Sequence, residues 1–398
     1  MTIAHVVPRR PWWAGGIDRW LALRDRLLAS PMFQRRAAGF ALTRPIARRH
    51  ARELFDLVAG FVYSQVLLAC VRLRLFEILA EGPQPLEWLA VRLALPIDAA
   101  QRLLAAAVSL RLVERRGEGR YGLGELGAPM VGNKAVASMV EHHAALYADL
   151  ADPVALLRAS ADGPRQGALA SYWPYADAVT GRDAPNARVA TYSALMSSSQ
   201  PLVADEILDA YSLRGHHCLL DVGGGDGTFL ASVSERAPAL RLMLFDLPPV
   251  ADQARERFAS TGIAQRASAF GGSFLTDALP SGADIASLVR VIHDHDDNAA
   301  MTILRAVRQA LPAHGSLLLA EPMSGTPGAE AVGDAYFGFY LLAMGRGRPR
   351  TALELTAMLE AAGFDSIRLL PTRMPLQTQL LVARAARVNP VGFGVNNS

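Results

Sequence analysis

The sequence is poor in thiols, in lysine and in clean apolar runs. Only Cys70 and Cys218 occur in 398 residues, both inside apolar stretches. A disulfide framework, a cysteine zinc site and a secreted scaffold are therefore excluded, and a reducing compartment is expected. The start, MTIAHVVPRRPWWAGG, has no continuous apolar core of the kind a signal peptide needs. The longest apolar stretch, LVAGFVYSQVLLACV from Leu57, contains Ser64 and Gln65 and soon meets Arg72 and Arg74. About 20 clean residues would be needed to span a bilayer, so this stretch is read as a buried helix. Net charge is only +3, which gives no global case for nucleic acid. Hydrophobic residues at 51% and charged residues at 19% suit a soluble globular protein.

What is present is uneven. Lys134 is the only lysine, and residues 1–56 hold eleven arginines against Asp18, Asp25, Glu53 and Asp56. Trp12, Trp13, Trp20, Leu21, Leu23, Leu27, Leu28 and Phe33 interleave with those arginines, in part at helical spacing. Such an arm suits an anionic membrane surface, or it is a solvated arm of an arginine-rich protein. The chain exceeds one ordinary core, and its rhythm suggests five segments. These are a basic amphipathic arm (1–50), a helical winged-helix domain (51–135), a helical linker with pocket residues (136–214), a catalytic domain (215–385) and a tail (386–398). In 51–135, PLEWLAVRLALPIDAAQRLLAAAVSLRLVERR reads as helix, turn at Pro96 and helix, and GEGRYGLGELG as a glycine-bounded hairpin. The second helix has one arginine in its first two turns and is otherwise alanine and leucine. A helix reading DNA bases needs polar side chains there, so dimerisation is expected and no nucleic acid. Residues 134–215 read as helical, with breaks near Gly163-Pro164 and Trp173-Pro174.

From His216 the pattern becomes α/β. HCLLDVG, LRLMLFDL, ASAFGG, IASLVRVI and GSLLLAEP are candidate strands, with helices between them. Strand–helix alternation predicts a parallel-rich, Rossmann-like sheet covered on both faces. The first strand runs into a turn with Asp221, Gly223, Gly225 and Gly227. Glycines there let backbone approach a ligand closely, but the spacing is not that of the dinucleotide fingerprint. Flanking acids would repel a phosphate and welcome the sulfonium or ammonium of S-adenosylmethionine. Asp246 closes the second strand, where an acid can accept from both ribose hydroxyls.

These residues resemble class I methyltransferases of the plant and bacterial small-molecule O-methyltransferase type. DVGGGDG, LFDLP, GGSF, RVIHDHDD, LLLAEPM and the late AAGF follow that family's order over about residues 55–385. The resemblance implies a seven-stranded catalytic sheet behind a winged-helix domain that makes a homodimer. It also implies S-adenosyl-L-methionine as donor, S-adenosyl-L-homocysteine as product, and no metal. Carried over by position, Gly223, Gly225 and Gly227 form the cofactor turn, Asp246 meets the ribose, Ser273 and Phe274 stand beside the adenine, and Arg290 belongs to the cofactor set. Ser273-Phe274 replaces the family's Asp-Met, which loses a carboxylate. His293 falls on the base position and Glu321 on a glutamate that holds it. His295 replaces the family's tryptophan, and a second supporting glutamate falls near Pro349 and is absent. Asp296 or Asp297 is expected to cap the helix that follows.

FDLVAGFVYSQVLLA, HHAALYADLADPVAL and GDAYFGFYLLAMGRGR resemble the carotenoid-methylating branch of that family. This implies an acyclic hydroxycarotenoid as acceptor, methylated on a tertiary hydroxyl, and work in the cytoplasm beside the photosynthetic membrane. The alternatives are a bacteriochlorophyllide ring carbon, a soluble aromatic or polyketide hydroxyl, and a DNA-binding regulator. His142, Tyr147, Met196, Tyr336, Tyr340 and Met344 are candidate walls for a long apolar substrate, with core packing as the other reading.

Overall fold

The computed structural model describes residues 14–159, 167–170 and 186–387, with side chains from 16 onward and, in the last segment, at 197 and from 199. Trp12, Trp13, the two predicted breaks near Gly163 and Trp173, and the side chain of Met196 lie outside the described residues. The chain divides into two compact units, Met1–Val131 and Gly132–Ser398.

The first unit opens with three helices, α1 (Ala14–Ala29), α2 (Pro31–Gly39) and α3 (Arg44–Arg72). Ser30 caps α2 and Pro31 occupies its first turn, where a missing N–H costs nothing. No residue from 16 to 67 is buried, and Leu68 is the first that is. The apolar stretch from Leu57 therefore forms the predicted helix but not a buried one. Leu57 is 82% and Phe61 69% exposed, and of α3 only Leu68 and Cys70 are enclosed. The reason is positional: the unit's core is built from the helices after Arg72. α4 (Leu75–Ala80), α5 (Leu86–Arg92) and α6 (Ile97–Ser109) bury Leu75, Phe76, Leu79, Leu89, Ala100, Leu104 and Ala107. The hairpin β1 (Val113–Arg115) and β2 (Tyr121–Leu123) pairs antiparallel, completing helix–turn–helix–wing. Burial pushes the free Cys70 thiol up to about 12, so it stays neutral.

The second unit starts with α7 (Lys134–Asp149), α8 (Pro153–Arg158) and α9 (Asn186–Ala210). The five predicted strands follow as β3 (Cys218–Val222), β4 (Arg241–Asp246), β5 (Ala267–Gly271), β6 (Ile285–Val289) and β7 (Ser316–Glu321). Between them run α10 (Thr228–Arg236), α11 (Pro248–Ser260) and α12 (Asp297–Ala310). A π-helix (Ala331–Phe337) continues into α13 (Gly338–Met344), and α14 (Ala352–Ala361) precedes β8 (Phe364–Leu370) and β9 (Gln379–Ala385). The sheet order is β5-β4-β3-β6-β7-β9-β8, parallel except for β9. β3 and β6 are buried at every residue. That is why they read as unbroken apolar runs rather than alternating ones.

Candidate active site

The carboxyl ends of β3, β4 and β6 open on one cleft of about 1350 Å³, counted out to its mouth. Open α/β sheets bind ligands in this place. After β3 the turn needs glycine for definite reasons. Gly223 has φ +70°, and a Cβ there would lie 2.8 Å from Val291. Gly227 has φ +83°, and its Cβ would lie 2.7 Å from the Phe258 ring. Gly223 and Gly225 line the cleft, whereas Gly227 starts α10 beneath it.

Asp221 also stands beneath the turn. It is 1% exposed, accepts from Ser287 Oγ at 2.6 Å, and leaves Oδ2 without a partner. Burial lifts its carboxyl to about 7, against the Ser287 bond and with a smaller push from Asp246. It does not line the cleft, so a direct meeting with a ligand's cation is not what the geometry offers. Asp246 does line it. One oxygen takes the Gly225 N–H at 2.8 Å and the other the Leu247 N–H at 2.7 Å, which orients the carboxylate. Burial raises it to about 6 while those two bonds pull down.

Ser273 and Phe274 line the far wall, after β5. Phe274 meets the ring of His295 edge to face at 5.3 Å and 89°. The aromatic wall that a tryptophan would supply is thus rebuilt from a Phe–His pair. Arg290, also on the lining, has φ +56°, unusual for a side chain with a Cβ. Its guanidinium reaches Ser199 Oγ at 2.9 Å and the Gln200 amide oxygen on α9.

That left-handed residue turns the chain off β6 and into Ile292–Asp294. Glu321, at the end of β7, then fixes the turn. One carboxylate oxygen accepts from Val291 N at 3.1 Å and Ile292 N at 2.7 Å, and the other contacts His293 Nδ1. His293 Nε2 lies 3.2 Å from Asp294 Oδ1. The imidazole is thus held between two carboxylates and is 8% exposed. Burial alone would push it down, but Glu321 and Asp294 outweigh burial and raise it to about 10. Asp294 and His295 line the cleft, and His293 does not. Asp296, as expected, caps α12, accepting from Ala299 N at 2.8 Å.

On its other side His293 touches Phe337, ring centroids 6.0 Å apart. Phe337 belongs to an aromatic cluster that draws in most of the predicted wall. His142 Nε2 and Tyr340 Oη are 3.0 Å apart, and His143 Nε2 and Tyr336 Oη 2.8 Å. Tyr336 stacks on Tyr340 at 5.9 Å, and Tyr147 lies edge-on to His143 at 6.2 Å. Met344 is buried in the same cluster. Burial lowers His142 to about 4, lowers His143 as well, and raises Tyr336 to about 12, so these are neutral hydrogen bonds. His143, read with His142 and Tyr147 as a candidate pocket residue, joins this cluster, and Phe337 joins it without having been expected. Spacing gives no signal for Phe337, since a residue directly after Tyr336 does not share its helix face.

A sheet of this order with its cleft over the glycine turn is the class I methyltransferase architecture. The chain belongs to the S-adenosylmethionine-dependent O-methyltransferases. Residues 147–365 match the O-methyltransferase domain and residues 55–133 the O-methyltransferase dimerisation domain. Among its relatives is the demethylspheroidene O-methyltransferase of Cereibacter sphaeroides, 44% identical over 94% of this chain and 97% of that protein. The protein of the same description from Rhodobacter capsulatus is 40% identical over 91% of this chain and 88% of that one. Of solved structures, the mitomycin 7-O-methyltransferase superposes with TM-score 0.68 at 27% identity, covering 86% and 100% of the two chains. Human N-acetylserotonin methyltransferase with bound SAM shares the fold, TM-score 0.70 at 24% identity over 85% and 98%.

Proposed function

We propose that this protein transfers a methyl group from S-adenosylmethionine to the tertiary hydroxyl of an acyclic carotenoid, giving a methyl ether. The observation that carries the reading is the 44% identity to a demethylspheroidene enzyme, which runs through both units rather than the cofactor motif alone. The cleft fits the donor. Gly225 leaves open space above its backbone, Asp246 presents an oriented carboxylate, and Ser273 and Phe274 close the far side.

The donor supplies an activated methyl and departs as a neutral thioether. The protein's task is to hold oxygen, carbon and sulfur in line and to receive one proton. A tertiary alcohol is a very weak acid, so its proton leaves as the C–O bond forms. An imidazole already charged cannot accept it alone. Glu321, His293 and Asp294 form one hydrogen-bonded unit that Asp294 presents to the cleft, and the proton passes to this unit as a whole. General-base help of this kind contributes about 10²–10⁴-fold. The polyene seats against the soft wall of Tyr336, Phe337, Tyr340 and Met344.

The test is transfer of labelled methyl to a detergent-solubilised panel: a hydroxylated acyclic carotenoid, a bacteriochlorophyllide and a catechol. Label on the carotenoid as an acid-stable ether supports the reading. Label only on another acceptor overturns the substrate and leaves the donor in place.

We infer further that the enzyme is a homodimer working at the cytoplasmic surface of an anionic membrane. α3 is, among the described residues, the one helix long and apolar enough to cross a bilayer. Its exposed apolar half from Phe55 onward lies within the match to the dimerisation domain, so a second copy is its partner here. Upstream of it, exposed Ile17, Trp20, Leu23, Leu27, Met32, Phe33 and Phe40 stand among arginines and suit lipid headgroups. Flotation with phosphatidylglycerol vesicles should be lost on deletion of residues 1–50 and should be absent with phosphatidylcholine. Undiminished binding after the deletion would end the anchor.

A further inference from the structure

Residues Gly345–Thr351 follow α13 as an irregular segment, yet they make a dense set of contacts with the turn that carries His293. Arg350 is 2% exposed. Its guanidinium donates to Ile292 O at 2.8 Å and His295 O at 2.8 Å, and to Asp297 Oδ1 at 2.7 and 3.0 Å. Arg348 N donates to His293 O at 2.9 Å. Three carbonyls of the turn, those of residues 292, 293 and 295, are thus held from one segment. Gly347 lies directly against the same backbone. Its φ is +77°, and a Cβ there would stand 2.1 Å from His293 O and 2.6 Å from the Asp294 carbonyl carbon.

A buried arginine with five donors in a rigid fork can bridge acceptors that a point charge cannot. Here the fork spans the turn and the first residue of α12. Glu321 holds the turn's N–H groups from the sheet side, and Arg350 holds its carbonyls from the opposite direction. The second glutamate implied by the family pattern falls near Pro349 and is absent, and Arg350 stands beside that place.

We infer that Arg350, with Gly347 as the close-packed floor, is a positioning residue for His293, fixing the turn so that the imidazole stays between Glu321 and Asp294. The inference rests on the reading of His293 as the centre of the proton-accepting unit. A turn displaced by about 1 Å can cost 10²-fold in rate, so the fork's loss acts on turnover rather than on donor binding.

The experiment compares Arg350→Met, Arg350→Lys and Gly347→Ala with His293→Ala and with the double variant His293→Ala/Arg350→Met. Each is assayed for kcat, KM, pH–rate profile and S-adenosylhomocysteine affinity by calorimetry. Arg350→Met should lower kcat roughly 10–100-fold, shift the profile, and leave S-adenosylhomocysteine affinity within about twofold. Arg350→Lys should recover only part of the loss, because one ammonium cannot reach all three acceptors. In the His293→Ala background, Arg350→Met should cost almost nothing more, since both act through the same group. Should Arg350→Met fail to fold, Arg350→Lys and Gly347→Ala carry the same comparison. An unchanged kcat, a loss matched by lost donor affinity, or full additivity with His293→Ala overturns the inference. Full activity of His293→Ala would instead overturn the reading beneath it.

Discussion

Two apolar stretches of similar composition have opposite fates in this chain. Ile285–Val289 and Ser316–Glu321 form adjacent strands, buried at every residue and sealed by α12 and the neighbouring strands. Leu54–Val62 forms part of a helix in which Leu57 and Phe61 stay more than two-thirds exposed. Apolar surface left in water is unfavourable by roughly 25 cal/mol per Å², so the second stretch makes sense only with a partner. The strands are finished within one chain, whereas the helix keeps apolar surface that its own chain leaves uncovered. Composition records that a surface is to be covered, not by what.

The widest gap between the two regions is catalytic. His293→Ala should lower kcat by about 10²–10⁴-fold with cofactor affinity intact, measured by labelled methyl transfer and calorimetry. Full activity would remove His293 from the chemistry. Next comes stability. Leu288→Ala, in the sealed strand, should cost about 2–5 kcal/mol, read from denaturant unfolding, whereas Leu57→Ala should change the unfolding of dilute protein by no more than about 0.5 kcal/mol. Equal losses would mean that α3 is already covered within its own chain.

Self-association gives the reverse order. On the proposed interface, Phe61→Arg should convert the dimer to monomer in sedimentation, while Leu288→Ala keeps the dimer at temperatures where it is folded. A dimer unaffected by Phe61→Arg would place the interface elsewhere. The smallest effect is on pH dependence. His293 is raised to about 10 in the folded protein, above its ordinary 6.5, so its pairing stabilises fully below pH 6.5 and is lost as pH climbs toward 10. The melting-temperature gap between the wild type and Asp294→Asn should therefore narrow from pH 6 to pH 10. A gap that widened would contradict the pairing.

Much of the catalytic unit was legible for a physical reason. Strands buried on both faces must be continuously apolar, and β3, β6 and β7 are found where those runs stand. The turn after β3 was legible because close backbone approach leaves glycine little competition. β8 escaped notice because only Phe364 of its seven residues is buried, its pairing slips between Asp365 and Arg368, and Ser366 has φ +50°. The aromatic cluster around Tyr340 was legible only in part. His142 and Tyr340 are 198 positions apart, so pairing them needs the fold. The hold of Arg350 left no trace in the sequence at all, because two of its acceptors are backbone carbonyls, which every residue carries. The arginine run at the start was visible at once and already suggested an anionic surface, and among the described side chains, from residue 16, none before Leu68 is buried.

The π-helix at Ala331–Phe337 makes the aromatic cluster sensitive to chain length. A π-turn is in effect an α-helix with one residue inserted, and each α-helical residue accounts for roughly 100° of rotation. Removing that single residue would let the segment relax to α-helix and rotate what precedes it relative to α13. Tyr336 and Phe337 would then swing away from His143 and His293 while Tyr340 stayed on His142. One codon lost or gained would thus redraw the acceptor side and leave the donor side as it was. A lineage could change acceptors by insertion or deletion here without passing through a run of compensating substitutions.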